Sequence, residues 1–276
     1  MNKTALRFGA LLACAMTFVP AVQAADKPQI DTGDTAWLLM ATVLVLMMNI
    51  PGLALFYAGM VRKKNVLATS VQAFAVAALV TVLWFAVGYS LAFTDGGALN
   101  GAIGSLSRAF GKGLLGSTHE LAKTVPENVF LMYQATFAVI TPAIIAGAFA
   151  ERMKFSAMMW FMGLWLLFVY VPVAHWVWGG GFLGAAGVLD FAGGLVVHLN
   201  AGIAALVCCV VIGKRHGYGQ EYMAPHNLVL TLIGTSLLWV GWFGFNAGSA
   251  LASGELAGSA MLNTHIAASV AALVWM

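Results

Sequence analysis

The sequence predicts an all-α polytopic membrane protein, and three observations carry that reading. Hydrophobic residues fill 61% of the 276 positions and charged ones 8%, against about 25% charged residues in a soluble domain, so the chain lacks the polar groups to cover itself in water. Its apolar residues fall in long blocks, most of them at or beyond the roughly 20 residues a helix needs to cross a hydrocarbon slab about 30 Å thick. Its basic residues gather in every second connection between blocks, as they do in helical membrane proteins. The net charge of +3 is too small to argue for a nucleic-acid partner.

The first residues form a separate unit. Lys3 and Arg7 precede an apolar run from Phe8 to Val19, Pro20 breaks it, and Val22-Gln23-Ala24 supplies the small residues of a cleavage site. Residues 1–24 therefore read as a signal peptide cleaved after Ala24, and residues 25–276 as the membrane domain. The apolar run is shorter than a span requires. Cleavage would leave the mature N-terminus outside the cytoplasm.

Six spans follow: Thr35 to Val61, Leu67 to Phe93, Val129 to Ala150, Ala157 to Trp178, Phe191 to Ile212 and Leu228 to Ala252, with a seventh beginning near Met261. Arg62, Lys63 and Lys64 follow the first span, Arg152 and Lys154 the third, and Lys214 and Arg215 the fifth. These loops hold seven of the 13 Lys and Arg residues. The positive-inside rule places them in the cytoplasm and the N-terminus outside, in agreement with the signal peptide. The long connection from Thr94 to Asn128 then lies outside. Because Val274-Trp275-Met276 closes the sequence within an apolar run, the chain reads as the front part of a longer, C-terminally truncated protein.

Cofactor chemistry finds no motif. Cys208 and Cys209 are adjacent within an apolar span and read as small packing residues; the six histidines show neither His-x-x-x-His nor Cys/His spacing. No cofactor or metal is expected. A membrane serine hydrolase built on Ser249 lacks the Gly-x-Ser-x-Gly surround and an aspartate placed to orient a base, so an enzyme is not expected either.

Two ionisable residues stand out in Leu189-Asp-Phe-Ala-Gly-Gly-Leu-Val-Val-His-Leu-Asn200. Polar groups inside a membrane are costly and mark translocation paths or proton relays. At 1.5 Å per residue, His198 lies about 12 Å along a helix from Asp190, near the middle of the slab. Asp190 precedes the first free amides of the fifth span and suits an N-cap; direct contact with an entering cation is the other reading, and the two combine if Asp190 aims a backbone carbonyl such as that of Ala192. His198 reads either as a pore-lining group that accepts or donates a proton or as a packed core histidine. Trp176, Trp178, Phe137, Trp242, Phe243 and Phe245 supply aromatic faces that attract a desolvating cation, although aromatic belts also gather at membrane interfaces.

Several stretches resemble the ammonium transporter, methylammonium permease and Rhesus protein family, most closely its bacterial Amt branch. They are Ile50-Pro-Gly-Leu-Ala-Leu-Phe-Tyr-Ala-Gly59, Gly147-Ala-Phe-Ala-Glu-Arg152, Ala174-His-Trp-Val-Trp-Gly-Gly-Gly181, the Asp190 to His198 block, Pro225-His-Asn227 and Trp242-Phe-Gly-Phe-Asn-Ala-Gly-Ser249. The resemblance implies the first five-helix half of an inverted-repeat fold plus about two helices of the second half. It implies transport of ammonium or ammonia: Phe137, Trp178 and Ser249 would recruit the ion, Phe137 and Phe245 would gate the pore, and His198 would be the first of two pore histidines. It further implies a homotrimer in the lipid bilayer and a PII-type regulatory protein on the cytoplasmic face. An ammonium sensor or receptor built on the same fold is the alternative.

Overall fold

The computed structural model describes residues 29–276, so the signal-peptide reading lies outside the described residues. Seven helices among them are long and apolar enough to cross a membrane: α1 (Thr32–Met60), α2 (Lys63–Phe93), α3 (Glu127–Phe149), α4 (Phe155–Ala185, with a turn at 178–181), α5 (Gly194–Ile212), α6 (Leu228–Gly248) and α7 (Glu255–Trp275). The long connection between α2 and α3 carries a small antiparallel hairpin of β1 (Thr118–His119) and β2 (Ala122–Pro126).

Local chemistry explains where the helices begin. The Asp31 carboxylate accepts the Asp34 amide at 2.8 Å and starts α1, and the Asn227 side chain accepts the Leu230 amide at 3.1 Å and starts α6; both are N-caps. Helix α7 begins at Glu255 rather than near Met261. The stretch Leu256-Ala-Gly-Ser-Ala260 is small rather than helix-breaking, and an acid in the first turn complements the helix dipole. Helix α6 stops at Gly248 rather than Ala252, which puts Ser249 in the following turn.

Four spans contain a wider π-helical turn: Met48–Leu53, Trp84–Gly88, Leu166–Tyr170 and Gly194–Leu199. Such turns recur at functional sites. In the first of them Pro51 lacks the N–H that an α-helical bond would need. The last opens α5 and contains His198.

Helix α3 is the hub of the bundle, buried along most of its length against α1, α2 and α5. Helix α6 lies along α1 through a row of glycines. A Cβ at Gly234 would come 2.3 Å from the Phe56 backbone nitrogen, and one at Gly244 2.6 Å from the Ala41 carbonyl, so only glycine permits this approach of two membrane helices. Helices α5 to α7 keep large apolar side chains exposed, among them Val210, Val211 and Leu273, a surface suited to lipid or to further helices.

Each end of the bundle is tied by an ion-paired cluster. At one end Arg62 donates to Glu151 from its backbone N–H (2.9 Å) and its guanidinium (2.9 and 2.8 Å), and reaches Glu221 at 2.8 Å, while Arg215 lies 3.7 Å from Glu151. The Glu151 side chain is fully buried, and its backbone adopts a left-handed φ of +65°. Burial pushes its carboxyl pKa up, but the hydrogen bonds from Arg62 outweigh that and hold it below the usual range. At the other end Arg108 grips Glu127 through two 2.9 Å bonds, and Tyr89 donates to the same carboxylate at 3.0 Å. There His119 stacks on Phe130 with centroids 4.5 Å apart. Its burial lowers its pKa and favours the neutral ring.

Candidate functional site

The site is built outward from Asp190. One carboxylate oxygen accepts the amides of Gly193 (2.7 Å) and Gly194 (2.8 Å), and the other those of Leu195 (2.9 Å) and Val196 (2.8 Å). Three of the donors belong to the free N-terminal turn of α5 and the fourth, Gly193, immediately precedes it, so one side chain meets the need that every helix start leaves open. The arrangement requires glycine at 193, where φ is +102° and a Cβ would sit 2.6 Å from Val197 Cγ2. Residues 190–193 therefore stay out of the helix, and Ala192 is half-buried in the cap loop. The Asp190 carbonyl meanwhile accepts the indole N–H of Trp178 at 2.8 Å.

Trp178 occupies the turn that ends the long part of α4. His175, one turn earlier, is completely buried, with its ring nitrogens 3.0 Å from the Ala92 carbonyl and 2.6 Å from the Asn100 carbonyl. It pins the Trp178 turn to the end of α2 and to the loop beyond it. On its other side the Trp178 ring meets Phe137 of α3 edge to face, with centroids 5.9 Å apart and planes at 88°. A cavity of about 720 Å³ at the hairpin end has Trp178 in its wall, together with Asp95, Asn100, Arg108, His119 and Glu120.

Phe137 in turn packs on Phe245 of α6, with centroids 4.4 Å apart and planes at 34°. Both rings are buried, at 2% and 1% exposure. The His198 ring lies on the far side of this pair, 5.8 Å from Phe245 and 6.1 Å from Trp242. Ser249 donates its hydroxyl hydrogen to the Phe245 carbonyl at 2.8 Å and lies 3.4 Å from the Tyr133 hydroxyl. A string of contacts thus runs from Asp190 through Trp178, Phe137 and Phe245 to His198, with Ser249 attached at Phe245. The Phe137 and Phe245 rings pack closely enough to leave no room for a hydrated ion between them. Among the described residues no group of three His, Cys, Asp or Glu side chains is arranged to hold a metal ion.

A family model, the Ammonium Transporter Family, matches residues 36–276. The chain belongs to the ammonium transporter family. An ammonium transporter of Aquifex aeolicus is 50% identical over 91% of this chain and 58% of its own length. The crystal structure of Candida albicans Mep2 superposes with a TM-score of 0.82 at 40% identity, covering 90% of this chain and 55% of that one. A structure described as a Sensor Amt Protein superposes with a TM-score of 0.80 at 29% identity, covering 88% of this chain and 62% of that one. The chain therefore spans about three fifths of the length of the curated relatives it matches. Those relatives are named as transporters, and the seven apolar helices agree with the fold of the solved family members.

Two residues of the site escaped the sequence reading. Tyr133 is fully buried and directs its hydroxyl at the carbonyls of Gly244 (2.9 Å) and Phe245 (3.1 Å), tying α3 to the end of α6. A tyrosine one turn before Phe137 in an apolar helix was the only available signal, since its partners lie more than 100 positions away. His175 was legible only as a histidine inside the resembling stretch. Trp242, grouped in sequence with the general aromatics, packs against the His198 ring.

Proposed function

We propose that this chain forms part of a membrane path for ammonium, taking up the ion at Trp178, Phe137 and Ser249 and passing ammonia beyond Phe137 and Phe245 to His198. The observation that carries the reading is the position of the Phe137 ring, which touches Trp178 on one side and Phe245 on the other. It places an aromatic binding face directly before an apolar constriction. Family membership supports ammonium as the ion.

Cost then dictates the chemistry. An intact ammonium ion in an apolar lumen incurs a desolvation penalty of several kcal/mol, whereas each aromatic face returns about 0.5–2 kcal/mol. The ion therefore binds at Trp178, passes its proton to water in the open cavity beside Trp178 before the phenyl pair, and crosses as neutral ammonia beside His198. Asp190 serves this path through its cap. It fixes the start of α5, orients the Ala192 carbonyl and holds the Trp178 indole. In this reading the end bearing Arg62, Arg152 and Arg215 faces the cytoplasm and the cavity beside Trp178 opens outside.

The test is methylammonium uptake by membranes carrying the protein as its own cell makes it. Trp178→Leu keeps the wall apolar and removes the stronger cation–π face, so uptake at low substrate should fall about fivefold while saturating uptake changes less. Unchanged low-substrate uptake would count against the assignment. The likeness to a Sensor Amt Protein supports a second reading, in which the same site binds ammonium without net passage. Specific binding with no uptake in the unmodified protein would favour it.

A further inference from the structure

Asp34, in the first turn of α1, is buried at 8% exposure and is far in sequence from every residue of the proposed recruitment site. One of its carboxylate oxygens accepts the Ser253 amide at 2.7 Å and the Ser253 hydroxyl at 2.8 Å, and the other accepts the Thr124 hydroxyl at 2.6 Å. These donors belong to the segments that lead to Phe137 and to Ser249. Thr124 lies on β2, which runs directly into α3 and so leads to Tyr133 and Phe137. Ser253 lies in the turn that leaves α6, four residues after Ser249, and that turn is held open by Leu251 in a left-handed conformation (φ +57°) with its amide bonded to the Gly248 carbonyl at 2.9 Å. Neighbouring contacts reinforce the tie: the Asp31 amide donates to the Thr124 carbonyl at 2.8 Å, and the Trp37 indole donates to the Ala247 carbonyl at 3.3 Å.

We propose that Asp34 is a positioning residue for ammonium recruitment, holding the Ser249 hydroxyl beside Phe245 and Tyr133 by clamping the Ser253 turn to the strand that leads into α3. The proposal rests on the assignment of Trp178, Phe137 and Ser249 as the recruitment site. A carboxylate suits the clamp because one oxygen accepts from the Ser253 turn while the other accepts from the strand. The loop around Leu251 is otherwise free to relax, since a left-handed non-glycine residue persists only where its surroundings enforce it. The three donors also distinguish this acid from Asp190. Two are hydroxyls, and the one that stands alone on its oxygen, that of Thr124, can turn round and accept, so asparagine at 34 can keep all three contacts.

The experiment measures half-saturation and maximal rate of methylammonium uptake, per folded molecule, in membranes carrying the protein as its own cell makes it. Asp34→Ala should raise half-saturation about fivefold, the worth of one neutral hydrogen bond, with the maximal rate per folded molecule preserved. Asp34→Asn should restore it. In a Ser249→Ala background, Asp34→Ala should add nothing, because residues acting through one contact are not additive. Where Asp34→Ala yields too little folded protein, Ser253→Ala removes one bond of the clamp and should shift half-saturation in the same direction. Lower yield with normal half-saturation would make the clamp structural only, and an Asp34→Asn variant as impaired as Asp34→Ala would make the charge, not the clamp, responsible. Either overturns the proposal, as does an Asp34→Ala effect that persists without Ser249. Unchanged half-saturation in Ser249→Ala itself would instead remove the recruitment site on which it rests.

Discussion

Asparagine caps helices about as well as aspartate does, and at position 190 it should fail. Both carboxylate oxygens of Asp190 are committed, each to two backbone amides at 2.7–2.9 Å. Asp190→Ala leaves four amides without that acceptor. One belongs to exposed Gly194 and is rescued by water, while the others are partly buried. A hydrogen bond to a charged acceptor contributes about 1.5–3 kcal/mol and such contributions do not add, so about 2–4 kcal/mol is a fair total. Opening of the first turn of α5 should then become roughly 30- to 700-fold more frequent, at a factor of ten per 1.4 kcal/mol. Asp190→Asn keeps one oxygen for two amides and turns an NH2 group against the other two, so about half that free energy is lost. Unlike hydroxyls, these amide donors cannot reverse. Hydrogen exchange across residues 193–199, with α6 as internal reference, reads the opening directly. Exchange in Asp190→Asn equal to that of the unmodified protein would refute the two-oxygen account.

Two further perturbations follow from the same packing. Tyr133→Phe keeps the ring against Phe137 but removes the hydroxyl that holds the Gly244 and Phe245 carbonyls, so thermal stability should fall by about 1 kcal/mol, and an unaltered melting temperature would show that those bonds contribute nothing. The Glu151 carboxyl titrates below its ordinary value in the folded protein, so its contribution to stability is present above about pH 4.3 and is lost as pH falls through the lower folded value. Glu151→Gln should flatten that acid limb, which a stability titration of the two proteins would reveal; identical limbs would remove Arg62 and Glu151 from the account.

Much of this was legible in sequence because a bilayer imposes simple demands. Seven apolar blocks gave seven spans, since every backbone group in hydrocarbon must be bonded within its own helix. The Asp190 cap was legible because its partners lie within six residues. Helix ends were harder. The opening of α7 at Glu255 hid behind a glycine and serine that resemble a loop, and the end of α6 at Gly248 depends on a left-handed Leu251 that no local pattern announces. The ties that assemble the site were out of reach for another reason. Asp34 and Ser253 are 219 positions apart, and Tyr133 and Gly244 are 111; single polar residues carry no periodicity, so only the packed helices reveal their partners.

If the ion sheds its charge before it meets His198, the clearest sign should come from His198→Glu. A carboxylate beside Phe245 and Trp242 can stabilise a cation that a neutral imidazole cannot. Uptake and membrane current should be measured together, per folded molecule, in membranes carrying the protein as its own cell makes it. Passage should continue with a larger cation current and weaker selectivity among cations. If His198 were only a packing residue, the acid would cost about 2.5–3.5 kcal/mol on insertion scales, and loss of folded protein with unaltered transport in the remainder would contradict the claim.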